Sequence, residues 1–179
     1  MSAAKEAGAE SAASIPRLHG LPPVVAADAR VLVLGSFPSA ASLAARQYYA
    51  HPQNRFWLFM GQIFGAAHTN EDWRLLPYER RLRHAKEAGV AIWDIYGSCE
   101  RSGSLDAAIR NAQYNDFGAL LKRAPGIKRV CFNGGTAARA VKHLASFGLQ
   151  TLALPSTSPA NAGQTMDYKL ARWREALGN

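Results

Sequence analysis

The sequence predicts an α/β fold, a parallel sheet of four strands with helices on both faces. Two observations predict it. Short apolar runs recur along the chain, VLVLGSF (31–37), GVAIWDIY (89–96), KRVCFNG (128–134) and QTLALPS (150–156). Stretches of helical periodicity lie between them. Continuous apolar strands are what a sheet buried on both faces needs, and intervening helices supply the crossovers of a parallel sheet. The length of 179 residues suits one such domain, and no internal repeat is present.

Taken in order, residues 1–14 are small and polar, with Lys5, Glu6 and Glu10 and no apolar core. They read as a disordered tail rather than a secretory signal, with a single domain over 15–179. After the first strand, NRFWLFMGQIFG places Phe56, Trp57, Phe59, Met60, Ile63 and Phe64 at helical spacing. YERRLRHAKEA, SLDAAIRNAQ, FGALLKRA, TAARAVKHLASF and the C-terminal MDYKLARWREAL are further helix candidates. Cys99 and Cys131 are too few for a disulfide scaffold or a cysteine-based metal site, which favours a reducing, cytosolic setting. No apolar run approaches a membrane span. The net charge of +8 favours a polyanion partner through counterion release, although many soluble domains are equally basic.

Ligand sites in this fold class gather beyond the carboxyl ends of the strands. Four segments should therefore converge. They are the stretch from Gly35 to Trp57, Asp94 to Ser98, Asn133-Gly134-Gly135, and PSTSPANAG from Pro155 to Gly163. The first crowds Phe37, Tyr48, Tyr49, His51, Asn54, Phe56 and Trp57 into one connection. Asn54 stands where an N-cap belongs, and its carboxamide oxygen could instead hold a water; the two roles compete for one atom. Tyr48 and Tyr49 suit lid packing or offer a π-face to a base. His51 precedes Pro52 and is biased to extended backbone. GSFPS lacks the glycine and lysine spacing of a phosphate loop, and NGGTAARA fits ordinary helix entry better than an anion-binding turn. PSTSPANAG is either a plain surface loop or a compact wedge for a nucleic-acid groove. Neither HExxH nor GxSxG occurs, so zinc-dependent and serine-based hydrolysis have no support.

Gly35-Ser36-Phe37-Pro38-Ser39, Ser42-Leu43 and Tyr48-Tyr49-Ala50-His51-Pro52-Gln53-Asn54-Arg55-Phe56-Trp57 together resemble the first motif of the hypoxanthine-DNA glycosylases. These DNA-deoxyinosine glycosylases are a branch of the uracil-DNA glycosylase superfamily. Pro155-Ser156-Thr157-Ser158-Pro159-Ala160-Asn161-Ala162 resembles the second motif of that branch. The resemblance runs from about Arg30 onward. It implies a three-layer, four-stranded glycosylase fold and removal of a deaminated base, hypoxanthine above all, by base flipping and water attack. It implies that Asn54 is catalytic. Gly35, Ser36, Phe37, Tyr49, His51 and Asn133 would contact the base, with the Tyr49 ring stacked on it. Ser156, Thr157, Ser158, Pro159, Ala160 and Asn161 would contact DNA. Phe37 and Asp94 stand where many relatives carry other residues, which counts against uracil as substrate and leaves open which groups read the purine. No lysine occupies a motif position, so the expected enzyme is a monofunctional hydrolase with no metal and no cofactor. The expected partner is double-stranded DNA carrying a deaminated base, with single strands a further candidate, for a monomer in the bacterial cytosol or nucleoid. Alternatives are a uracil, mismatch or xanthine glycosylase, or a non-catalytic lesion-DNA-binding domain of the same fold. A nucleotide-binding α/β domain is disfavoured by the missing phosphate loop.

Overall fold

The computed structural model describes residues 15–65 and 71–178; the expected tail at 1–14 lies outside the described residues. The chain enters through a short strand, β1 (Arg17–His19), and then forms β2 (Val31–Gly35). Helices α1 (Ala40–Ala45), α2 (Phe56–Phe64) and α3 (Tyr78–Glu87) lead to β3 (Val90–Asp94). Strands β4 (Tyr96–Glu100) and β5 (Arg110–Tyr114) precede α4 (Phe117–Arg123) and β6 (Arg129–Asn133). Two short helices, α5 (Gly135–Ala138) and α6 (Val141–Leu144), reach β7 (Gln150–Leu154), and α7 (Met166–Leu177) closes the fold.

All four expected sheet strands are present, parallel, in the order β3-β2-β6-β7. Their apolar runs account for the arrangement. Leu32, Val33, Leu34, Ala91, Ile92, Val130 and Cys131 are fully buried, because both faces of β2, β3 and β6 are covered. The β2–β3 connection runs one way across the sheet and the β3–β6 connection the other. Right-handed crossovers then put α1–α3 on one face and α4–α6 on the opposite face. Helix α7 returns to the first face, where Trp173 meets Phe56 edge-on at 5.9 Å between ring centroids. The reversal of direction falls between β2 and β6, so the crevice outside their carboxyl ends is where a ligand site belongs.

Three expectations need correction. GVAIWDIY is not one strand: β3 ends at Asp94, and β4 starts a second, antiparallel sheet ordered β1-β4-β5. The break is held by Ile95 N–H donating to Gly35 O at 2.8 Å and Asn115 Nδ2 donating to Asp94 O at 2.9 Å. SLDAAIRNAQ is not a helix: residues 106–108 form a single 3₁₀ turn and Arg110–Tyr114 is strand β5. That strand is exposed along most of its length, so no apolar alternation marked it. TAARAVKHLASF is split, because Ala140 N–H and His143 N–H bond three residues back, to Ala137 O and Ala140 O, rather than four. Among the described residues no helix is long and apolar enough to cross a membrane.

Candidate active site

A cavity of about 580 Å³ opens at the carboxyl ends of β2, β3 and β6. Its floor begins at Gly35, the last residue of β2, whose missing side chain is a packing requirement. A Cβ there would sit 2.4 Å from Asp94 Oδ1, closer than atoms tolerate. Beyond it, Ser36 Oγ donates to Asp106 Oδ1 at 2.6 Å, and Ala40 N–H donates to Ser104 Oγ at 2.9 Å. These bonds fold the β4–β5 connection over the Gly35–Ser39 turn. Arg101, almost wholly buried, packs its guanidinium 5.0 Å from the Phe37 ring centre and donates to Pro38 O. Its Nε and Nη1 have no hydrogen-bond partner.

The aromatic crowd divides into supports and a cavity wall. Tyr48 is a support: it is buried, its hydroxyl reaches Leu21 O and Pro22 O, and its carbonyl accepts from Trp57 Nε1 at 2.8 Å. Tyr49 is wall. Its ring stacks on Phe56 with centroids 4.0 Å apart and lines the cavity. Its backbone is left-handed, φ 55°, a conformation that costs a bulky residue about 1–3 kcal/mol. The Trp57 bond and the Tyr78 hydroxyl, which accepts from Tyr48 N–H at 2.9 Å, hold the preceding residue and so impose it. The Tyr49 hydroxyl is enclosed without a hydrogen-bond partner. Burial first, and then the nearby Asp94 charge, raise its pKa above the ordinary phenol value.

Asn54 lines the same cavity, and its Oδ1 accepts from Phe56 N–H at 2.9 Å at the entry of α2. The helix cap proper is Arg55, which makes no side-chain capping bond. An amide oxygen has two acceptor positions, so the capping-type bond leaves one of them open.

Asp94, at the end of β3, is buried and lines the cavity, and its Oδ2 has no hydrogen-bond partner. Desolvation first, then repulsion from Asp106, push its pKa up to about 8, with Arg101 working in the opposite direction.

The far wall is the loop after β7, and it is tied down at several points. Asn133 Nδ2 donates to Thr157 Oγ1 and Asn133 Oδ1 accepts from Thr157 N–H, both at 2.9 Å. Thr157 O accepts from Arg55 N–H at 3.0 Å, which couples this loop to the Tyr49–Asn54 segment. From behind, the buried Lys169 of α7 donates to Ser156 O at 2.9 Å and to Asn161 O. Trp173 Nε1 donates to Pro155 O at 2.9 Å. Pro159 and Ala160 form an exposed apex.

A family model described as the uracil DNA glycosylase superfamily matches residues 22–177, the span that builds this cavity. The chain belongs to the uracil DNA glycosylase superfamily. It is 34% identical over 159 residues to a curated Methanosarcina barkeri (strain Fusaro / DSM 804) protein named Hypoxanthine DNA glycosylase, covering 89% of this chain and 97% of that one. A Methanosarcina acetivorans protein of the same name is 35% identical over 143 residues, covering 80% of this chain and 87% of that one. The solution NMR structure of a Methanosarcina acetivorans protein, described as a candidate uracil DNA glycosylase, superposes with a TM-score of 0.80 at 31% identity. That match covers 91% of this chain and 98% of the other.

Of the residues expected at the site from the sequence, Gly35, Ser36, Phe37, Tyr49, Asn54, Asn133, Ser156, Thr157, Ser158, Ala160 and Asn161 all border this cavity. Two do not. His51 Nδ1 accepts from Gln53 N–H at 3.2 Å in a turn outside the cavity lining, and Pro159 stands at the loop apex. Asn133 is at the wall and bonds Thr157 through both ends of its carboxamide, which braces the second-motif loop and leaves one N–H and one acceptor position beyond these two bonds. Sequence reasoning missed Ser104, Leu105 and Asp106 because it read their segment as a helix. It missed Arg139, the one cation among the described lining residues, because NGGTAARA was read as ordinary helix entry. It passed over Lys169 because the contact is made from a helix eight residues beyond Asn161.

Proposed function

We propose that this chain is a monofunctional DNA glycosylase that hydrolyses the N-glycosidic bond of deoxyinosine and releases hypoxanthine. The observation that carries the reading is the meeting of the Tyr49 ring and the Asn54 carboxamide in one concave site at the sheet's carboxyl edge. The names of the two Methanosarcina relatives support hypoxanthine as the base.

A base inside a duplex cannot reach such a cavity, so the nucleotide must leave the stack, at a cost of about a few kcal/mol that a mispaired inosine lowers. The exposed Pro159–Ala160 apex is small and apolar, as a wedge beside the flipped nucleotide requires. Arg139 stands at the cavity as a phosphate partner. Tyr49, backed by Phe56, gives the extruded purine a rigid face. The open acceptor position of Asn54 Oδ1 holds a water for attack at C1′. An amide is a weak base, so the water adds late, once the bond to the purine has largely broken. The protein acts as a monomer on duplex DNA.

The test is release of hypoxanthine from an inosine-containing duplex, leaving an alkali-labile abasic site, beside matched uracil and xanthine duplexes. Asn54→Ala should lower the single-turnover rate at least about tenfold, equivalent to about 1.4 kcal/mol of barrier. It should also remove the bond to Phe56 N–H and cost about 1 kcal/mol of stability. A variant that melts earlier yet keeps its turnover would show that Asn54 serves the helix alone. Preferential release of uracil or xanthine would move the substrate assignment to that base. Lesion binding without any abasic product would mark a domain that has lost the chemistry.

A further inference from the structure

Asp94 is an acid with no partner in a place where an anion has little support. Its side chain borders the cavity, yet the residue is only 4% exposed, and Oδ2 meets no donor. No ion pair to it forms among the described residues. The charged and titratable groups around it come from four directions. Asp106, on the turn between β4 and β5, is a like charge and already receives the Ser36 hydroxyl. Arg101, just past β4, sets one guanidinium nitrogen on Pro38 O and its guanidinium against the Phe37 ring, keeps Nε and Nη1 unpartnered, and makes no ion pair with Asp94. Tyr48 and Tyr49, on the segment before α2, send one hydroxyl to backbone carbonyls and leave the other unpaired. Tyr78, on α3, accepts from Tyr48 N–H. A carboxylate here would face lost hydration and repulsion from Asp106 that Arg101 offsets only in part, so burial favours the neutral acid. A neutral carboxyl is a hydrogen donor, and none of the described residues accepts from Asp94 Oδ2.

Resting on the glycosylase reading above, we propose that Asp94 is the general acid of the reaction, donating its proton to a ring nitrogen of the departing purine. The C1′–N9 bond breaks and its electron pair leaves on the base. The Asp94 O–H proton moves to a purine nitrogen, so hypoxanthine departs neutral. The oxygen of the water held by Asn54 bonds to C1′ and sheds a proton to solvent, and solvent returns one to the Asp94 carboxylate. One water is consumed, and a sugar hydroxyl and a neutral purine are formed. The two side chains divide the work: Asn54 serves the sugar and Asp94 serves the base. In its protonated form Asp94 is no base for the water, which leaves the water to Asn54. Gly35 is the structural condition, since any side chain there would occupy the position of the carboxyl.

The experiment is single-turnover excision by the full chain and by Asp94→Asn, which keeps shape and a donor but has no proton to lose. Substrates are duplexes carrying deoxyinosine, 7-deaza-deoxyinosine or 3-deaza-deoxyinosine, from pH 5.5 to 9.5. The wild-type rate on deoxyinosine should fall as pH rises through about 8. Asp94→Asn should be slower by about a hundredfold at pH 6.5 and flat with pH. On the deaza analogue that lacks the accepting nitrogen, wild type and variant should react at matched, low rates. A carboxyl titration of the unmutated protein by ¹³C NMR serves if the variant does not fold, and an Asp94 that ionises below pH 6 overturns the assignment. So does Asp94→Asn that keeps its rate within twofold, or that loses the same factor on all three substrates. A wild-type protein that releases no hypoxanthine sinks the glycosylase reading itself, and this assignment with it.

Discussion

Lys169→Met tests whether the loop opposite Tyr49 is held from behind. The Lys169 ammonium is buried under that loop and donates to Ser156 O and Asn161 O, so one charge ties together the two ends of the Ser156–Asn161 stretch. Hydrogen bonds to a charged donor contribute about 1.5–3 kcal/mol each. Two such bonds are opposed by the cost of keeping an ammonium out of water, which desolvation reveals by lowering the Lys169 pKa. Both carbonyls lie in a half-exposed loop and can turn to water when the lysine is gone. The net loss should therefore be about 1–2 kcal/mol of loop order, a factor of about 5–30 in the bound-ready population. Fluorescence anisotropy should show Kd for an inosine duplex rising by about that factor. The single-turnover rate at saturating enzyme should stay within about threefold, because no reacting atom is touched. The slope of log Kd against log salt separates this clamp from a phosphate contact. A buried clamp leaves the slope unchanged, whereas loss of a phosphate-neutralising lysine reduces it by about one. Unaltered affinity, or a reduced slope, would refute the clamp.

The remaining predictions concern the cavity floor and wall. Gly35→Ala should force the Asp94 carboxyl aside, costing about 1–3 kcal/mol by overpacking. Calorimetry should show Tm lowered by about 2–12 °C for a chain of this size, and excision should fall together with it. Tyr49→Phe keeps the ring against Phe56 and removes an unpaired buried hydroxyl, so stability should hold or rise slightly. Its excision rate should stay within about threefold, whereas Tyr49→Ala should lose about 1–3 kcal/mol of base stacking and at least about tenfold in rate. The Asp94 pKa is raised on folding, so its contribution to stability is complete below the ordinary aspartate range and lost as pH rises through about 8. Melting curves should show Tm declining across that window in the wild type and a flatter profile in Asp94→Asn.

The sequence by itself determined the sheet. VLVL, VAIW and VCF are runs of apolar residues that satisfy a strand only when both faces are covered, TLAL supplies the half-exposed edge strand, and all four stand where their composition placed them. Helix α7, Met166–Leu177, coincides with the amphipathic stretch that predicted it, because its start is written locally: Thr165 Oγ1 caps Tyr168 N–H at 3.3 Å. The motif segments were legible for the same reason, since their residues are neighbours in the chain. Tertiary structure alone decided the rest. Strand β5 is almost wholly polar, and only its partner β4 makes it a strand. Asp94 is an ordinary acid by sequence, and its pKa is pushed up by burial among Asp106, Gly35 and Tyr49, none adjacent to it in the chain. Lys169 and Arg101 carry no local sequence signal, and only the fold encloses them. Periodicity and capping are interactions over a few residues and can be read along a line. Desolvation and unpaired polar atoms depend on what the whole chain brings to one place, and no short window of residues contains that information.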